Sequence, residues 1–196
     1  MRKQVLFIQG AGERAYNEDE KLVASLRHLL GSSYEVRYPV MQNEDDADYE
    51  TWVRQIKKEL ATLNDAVIIV GHSVGASILI KFLSEKEIKK TVAGIFLIAA
   101  PFWGGENGWT YEGYETLVLP NKADTKLPND VPIFLYQSCD DEIVPFAHLA
   151  LYAKRLPRAT VRELEGRGHQ LNNDLSEVAN DIEKLLSEVK FSNQSE

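Results

Sequence analysis

Six apolar runs separated by amphipathic stretches constrain this chain more than any other feature. The runs are VLFI (5–8), YEVRY (34–38), AVIIV (66–70), VAGIFLIAA (92–100), IFLYQ (133–137) and TVREL (160–164). Three are nearly continuous in Val, Ile, Leu and Phe, as strands of a parallel sheet covered on both faces are. TVREL alternates polar and apolar, as an edge strand does. Between the runs, Leu22, Val23, Leu26, Leu29 and Leu30 share one helical face, and so do Trp52, Val53, Ile56, Leu60 and Leu63. The last stretch repeats the pattern with Leu175, Val178, Ala179, Ile182, Leu185, Leu186 and Val189. The order β-α-β-α-β-α-β-insert-β-α-β-α predicts an α/β fold, a doubly wound and mostly parallel six-stranded sheet flanked by helices.

A chain of 196 residues suffices for one domain with a substantial core, so 1–196 is read as a single unit. Residues 101–132, rich in Gly, Pro, Trp and Tyr, break the rhythm and form an insert; 190–196 is a polar tail expected to fray. The net charge of −8, with only the minor basic patch Lys86, Lys89 and Lys90, argues against nucleic-acid binding, which needs a positive face. The single cysteine, Cys139, excludes an internal disulfide and a thiolate zinc site. The apolar core of the N-terminus, VLFI, is too short for a secretory signal, and no run is long enough to span a membrane. The expectation is a cytoplasmic protein with no membrane partner.

GHSVG, residues 71–75, follows the third apolar run and precedes a helical pattern. This is G-x-S-x-G between a strand and a helix, the context in which the motif makes a strained turn that exposes the serine. Gly71 and Gly75 are expected where a Cβ would clash, and Ser73 above the carboxyl ends of the strands. A serine nucleophile needs a base. Of the four histidines, His28 flanks an apolar helix face, His72 reads as packing or pocket-lining, and His148 lies within the helical pattern PFAHLALYAKRL. His169, in GRGHQ, follows the last strand, where loops open at the same end of the sheet as Ser73. The order Ser…acid…His then asks for a carboxylate at a strand end between them. The fifth run supplies one in the doublet Asp140–Asp141, with a helix and a strand still to fit before His169. A metal reading of Asp140, Asp141 and Glu142 is weak, because adjacent side chains splay apart. No metal and no cofactor is expected.

GHSVG, the D-x-x-V-P run Asp141–Pro145 and the Gly-His of GRGHQ together resemble the α/β-hydrolases across nearly the whole chain. In size the sequence is similar to the small capless serine hydrolases of the retinoblastoma-binding protein nine type. The resemblance implies a Ser73–Asp141–His169 triad, Asp141 being the residue three before Val144. It also implies an oxyanion hole of the backbone N–H groups of Ala11 and Val74, and a carboxylesterase-like activity on a small-molecule acyl ester or thioester. The chain departs from many members of the family in carrying Gln9 before Gly10, where they have histidine.

Two other readings compete. Gly10-Ala11-Gly12-Glu13-Arg14-Ala15 matches the dinucleotide fingerprint G-x-G-x-x-A. Against it, the helical pattern starts late, near Asn17, and the second strand ends in Tyr38-Pro39 with no acid to hold a ribose. The alternative of a non-catalytic binding protein on the same scaffold leaves an intact Ser, Asp and His without purpose. Phe102, Trp103, Trp109 and Tyr111 of the insert, with Tyr114, either wall a substrate pocket or cover the sheet as a satellite core.

Overall fold

The computed structural model describes residues 2–192 except 87, 89, 128 and 129, with side chains in the last helix as far as Leu185. Lys89 and the end of the tail, 193–196, lie outside the described residues, and the side chains of Leu186 and Val189 lie outside the described side chains. Six strands form one sheet: β1 Lys3–Ile8, β2 Tyr34–Arg37, β3 Val67–His72, β4 Val92–Ile98, β5 Ile133–Ser138 and β6 Thr160–Leu164. All neighbours pair parallel, in the order β2-β1-β3-β4-β5-β6. The helices are α1 Ala15–Leu30, α2 Tyr49–Thr62, α3 Ser73–Glu85, α4 Ala123–Lys126, α5 Ala147–Arg155 and α6 Ser176–Ser192. Helix α6 thus takes the first residues of the stretch expected to fray.

The pleat sorts each apolar run onto two faces. Val5, Phe7, Ile68, Val70, Phe96 and Ile98 point to one side, where Leu22, Val23 and Leu26 of α1 and Val178 and Ile182 of α6 cover them. Leu6, Ile8, Ile69, Ile95 and Leu97 point to the other, under Trp52 and Ile56 of α2, Leu79 and Phe82 of α3 and Tyr152 of α5. This double cover is why the central runs show no alternation. Leu29, at the margin of the α1 arc, stays 39% exposed. Among the described residues no cap domain stands over the sheet, and no helix is long and apolar enough to cross a membrane.

The strand order places a topological switch between β1 and β3. The chain passes from β1 outward to β2, then returns past β1 to β3. Loops leaving β1 and β3 therefore diverge and open a crevice at the carboxyl ends, the usual position for a ligand in such sheets.

The glycines of GHSVG are required by neighbours other than the serine. A Cβ on Gly75 would lie 2.0 Å from the Gln9 carbonyl oxygen, and one on Gly71 2.7 Å from Ala76 Cα. Helix α3 leaves β3 hard against the end of β1, and only glycine lets it pass. Gly75→Ala is expected to cost about 1–3 kcal/mol through overpacking. A thermal melt should show a drop of roughly 2–4 °C per kcal/mol for a domain of this size.

Candidate active site

Ser73 sits at the β3–α3 junction with φ +50°, a left-handed conformation that non-glycine residues seldom hold. Its side chain opens into a cleft of about 210 Å³ at the switch point, lined by Gly10, Ala11 and Gly12 after β1, by His72 and Ser73, and by His169 and Gln170 before α6. Helix α3 begins at Ser73, so the Val74 N–H belongs to its first turn, whose amides have no partner inside the helix. The Ala11 N–H has no hydrogen-bond partner among the described residues.

The first loop is held by a segment remote in sequence. Gln9, fully buried, donates from Nε2 to Glu44 Oε2 at 2.6 Å and accepts the Met41 N–H at Oε1 at 3.1 Å. Glu44 Oε2 also accepts the Tyr16 N–H at 2.7 Å, and its carbonyl accepts the Gly12 N–H at 2.7 Å. Glu44 thereby caps α1, whose own N-cap, Arg14, supplies no side-chain bond. This external cap is why the helix starts at Ala15, before the position its apolar pattern indicates. Gln9, in place of the more common histidine, is the clamp between this loop and the chain at 41–44.

His169 is 6% exposed. Its Nδ1 lies 3.0 Å from both oxygens of Asp141, a side chain with no solvent exposure. Asp141 Oδ1 also accepts the N–H groups of Ile143 at 2.9 Å and Val144 at 2.8 Å, and Gln137 Nε2 donates to Oδ2 at 3.3 Å. Burial pushes this carboxyl up, but His169 and the two backbone donors outweigh it and hold Asp141 below the usual carboxylate range. The other two acids of the run bind the same histidine loop. Asp140 accepts from Ser138 Oγ and from the N–H groups of Arg167 and Gly168, and Glu142 Oε2 accepts the His169 N–H at 3.1 Å. Three consecutive carboxylates thus divide among three consecutive residues, 167–169. Among the described residues no group of three or more His, Cys, Asp or Glu could hold a metal ion. Ser73 Oγ and His169 Nε2 have no direct hydrogen bond among the described residues; such contacts often tighten only when substrate binds.

The remaining histidines fall as follows. His28 is exposed on α1. His148 is buried on α5, accepts the Phe102 N–H at Nδ1 at 3.0 Å, and is pushed below its ordinary pKa by burial. His72 is buried beside Ser73 and pairs with Asp19 of α1, Nδ1 to Oδ1 at 2.9 Å. Asp19 escaped the sequence analysis. The signal was there: it continues the Leu22, Val23, Leu26, Leu30 stripe, where a charge is out of place. Its carboxylate occupies the Gly10 N–H at 2.7 Å. A dinucleotide pyrophosphate would need that group, and it would also meet Glu13, Glu18 and Asp19 around the cleft. The fingerprint reading of residues 10–15 is therefore electrostatically disfavoured.

The aromatics of the insert do not border this cleft. Phe102 and Trp103 are buried in the core, Trp109 is half-buried against it, and Tyr111 is 57% exposed. Trp103 stacks on Tyr114 at 4.9 Å and meets Trp109 edge-on at 5.6 Å. Phe102 and Trp103 belong to the same core cluster as the inner faces of α2, α3 and α5, with Trp109 and Tyr114 packed against it.

A doubly wound parallel sheet with a serine at the strand-to-helix elbow and a His–Asp pair at the same end defines an α/β-hydrolase. A family model described as serine hydrolase matches residues 24–184, and the chain belongs to that family. It is 24% identical over 179 residues to YdeN of Bacillus subtilis (strain 168), covering 89% of each chain. The crystal structure of the B. subtilis ydeN gene product superposes with a TM-score of 0.69 at 20% identity, over 94% of this chain and 99% of that one. Est1E from Butyrivibrio proteoclasticus gives 0.67 at 14% identity, over 95% and 88%. A serine hydrolase involved in carbazole degradation, the CarC enzyme, gives 0.72 at 17%, over 94% and 91%. The protein is a hydrolase of this family.

Proposed function

We propose that the protein cleaves a small carboxylic ester or thioester through an acyl-enzyme on Ser73. The observation that carries this reading is the cleft where Ser73, the Asp141-bound His169 and the unpartnered Ala11 N–H meet. Ser73 Oγ attacks the acyl carbon while His169 Nε2 takes its proton. The N–H groups of Ala11 and Val74 hold the resulting oxyanion, at about 2.7–4 kcal/mol per donor in comparable sites. Collapse expels the alcohol or thiol, which takes the proton from His169. Water, deprotonated by the same nitrogen, then attacks the acyl-enzyme, and collapse releases the acid as His169 Nε2 returns the proton to Ser73 Oγ. Asp141 keeps His169 in the Nδ1–H tautomer and stabilises the imidazolium.

Reaction with a fluorophosphonate tests this without knowledge of the substrate. Ser73 Oγ displaces fluoride from phosphorus, and peptide mass spectrometry should place the adduct on Ser73 alone. A folded enzyme that takes no adduct, or carries it on another residue, excludes the mechanism. A series of p-nitrophenyl esters of increasing acyl length then measures the pocket.

A further inference from the structure

The Asp19–His72 pair lies directly behind Ser73, and the reaction above makes no use of it. Both side chains are 1% exposed. Asp19 Oδ2 accepts the Gly10 N–H at 2.7 Å and Oδ1 accepts from Gln170 Nε2 at 3.1 Å; His72 Nδ1 stands 2.9 Å from Oδ1 and 3.0 Å from Oδ2. On the far side of the ring, His72 Nε2 stands 3.2 Å from the backbone carbonyl oxygen of His169. The two histidine rings are 4.8 Å apart.

Both nitrogens of His72 face acceptors. A neutral imidazole has one N–H and one lone pair, so beside an ionised carboxylate it would set one lone pair against an oxygen. With a proton on each nitrogen both contacts are hydrogen bonds. Moving a proton to Asp19 is the other way to satisfy the geometry, but the Gly10 and Gln170 donors converge on that carboxylate and favour its charged form. From this geometry we infer that His72 is held as an imidazolium by Asp19, and that this ion pair positions the three loops of the active site. The links run from the loop after β1, through Gly10, to the elbow, through His72, and to the histidine loop, through the His169 carbonyl and Gln170. The inference rests on the serine-hydrolase reading of the cleft. It makes Asp19 and His72 positioning residues, because neither is given a contact with the reacting atoms.

The electrostatics agree in direction. Burial pushes His72 down, but the Asp19 charge and hydrogen bond outweigh it and raise it above its ordinary value. Burial pushes Asp19 up, and His72 with the other donors more than reverses this. The groups facing the pair are His169 and Gln170 before α6, Asp141 after β5 at longer range, and Tyr38 after β2. Burial and then Asp19 push the Tyr38 phenol above the ordinary tyrosine range. A raised histidine keeps its charge below its folded pKa and loses it as pH rises through that value. The link to the His169 carbonyl or to Asp19 then breaks, and activity falls on the alkaline side.

The test uses the full chain. In wild type, ¹⁵N imidazole spectra at pH 8 should show His72 with both nitrogens protonated, although an ordinary histidine of pKa about 6.5 is neutral there. In Asp19→Asn, kcat for a p-nitrophenyl ester should fall on the order of 10- to 100-fold while KM moves less than about threefold, as displaced catalytic groups cause. The alkaline fall of kcat should also begin about one pH unit or more lower than in wild type. A singly protonated His72 in wild type at pH 8 overturns the inference, and so does an Asp19→Asn profile that superimposes on wild type. The wild-type spectrum needs neither turnover nor a folded variant. Absence of a fluorophosphonate adduct on wild-type Ser73 sinks the serine mechanism; a labelled enzyme with neutral His72 sinks only the ion pair.

Discussion

Ser73→Ala is expected to lower kcat for a short p-nitrophenyl ester by about a millionfold, the loss that follows when the nucleophile of such a device is removed. The variant isolates chemistry from folding. Ser73 Oγ has no hydrogen-bond partner among the described residues, so its removal strands no buried polar group there. Alanine inherits the backbone strain at φ +50° that serine already tolerates, and stability should change by less than about 1 kcal/mol. A melt matching wild type, together with turnover at the level of buffer plus whatever the oxyanion donors supply, is the expected pair of results. Wild-type rates from Ser73→Ala would remove the acyl-enzyme and leave the fold assignment standing. A variant that fails to melt cooperatively would instead expose a structural role for the hydroxyl.

The strands were legible because a parallel sheet covered on both faces writes its core as continuous Val, Ile, Leu and Phe. VLFI and IFLYQ lie in β1 and β5, the VIIV of AVIIV lies in β3, and the alternating TVREL is the edge strand β6. The elbow was legible because its signature, GHSVG between a strand and a helix, is compact in sequence, although the constraint on Gly75 comes from the distant Gln9 carbonyl. What escaped was non-local. The cap on α1 comes from Glu44, 28 residues from the Tyr16 amide it accepts, so the apolar pattern alone starts the helix too late. The service of Gln9 depends on Met41 and Glu44 in the same way. Asp19 acquires meaning only when α1 is laid over the sheet and its carboxylate meets His72 from 53 residues away. For the aromatic insert the sequence left pocket wall and satellite core equally open. In the structure Phe102 and Trp103 turn into the main core, and the cleft at Ser73 is lined by other residues.

Asp141→Asn should lower kcat by about 10⁴-fold, while Asp140→Asn should stay within about threefold of wild type. The asymmetry comes from which oxygen does what. Asp141 Oδ1 is fixed by the Ile143 and Val144 amides at 2.9 and 2.8 Å, so asparagine keeps its carbonyl there and turns its NH₂ to the Oδ2 position. That position faces His169 Nδ1 at 3.0 Å and Gln137 Nε2 at 3.3 Å. Donor would meet donor, and the simplest relief is for His169 to take the opposite tautomer, with its proton on Nε2 and no lone pair for Ser73. The geometry survives while the base is blocked. At Asp140 the bonds to Ser138 Oγ and to the Arg167 and Gly168 amides all fall on Oδ1, and asparagine retains that oxygen as an acceptor. Its new NH₂ replaces an oxygen on an exposed residue, where water accommodates either. Steady-state kinetics on both variants, with ring ¹⁵N shifts reporting the His169 tautomer, separates the two carboxylates. A large loss at Asp140 with little at Asp141 would shift the working acid by one residue, and the hydrogen bond between Asp141 and His169 would then be structural.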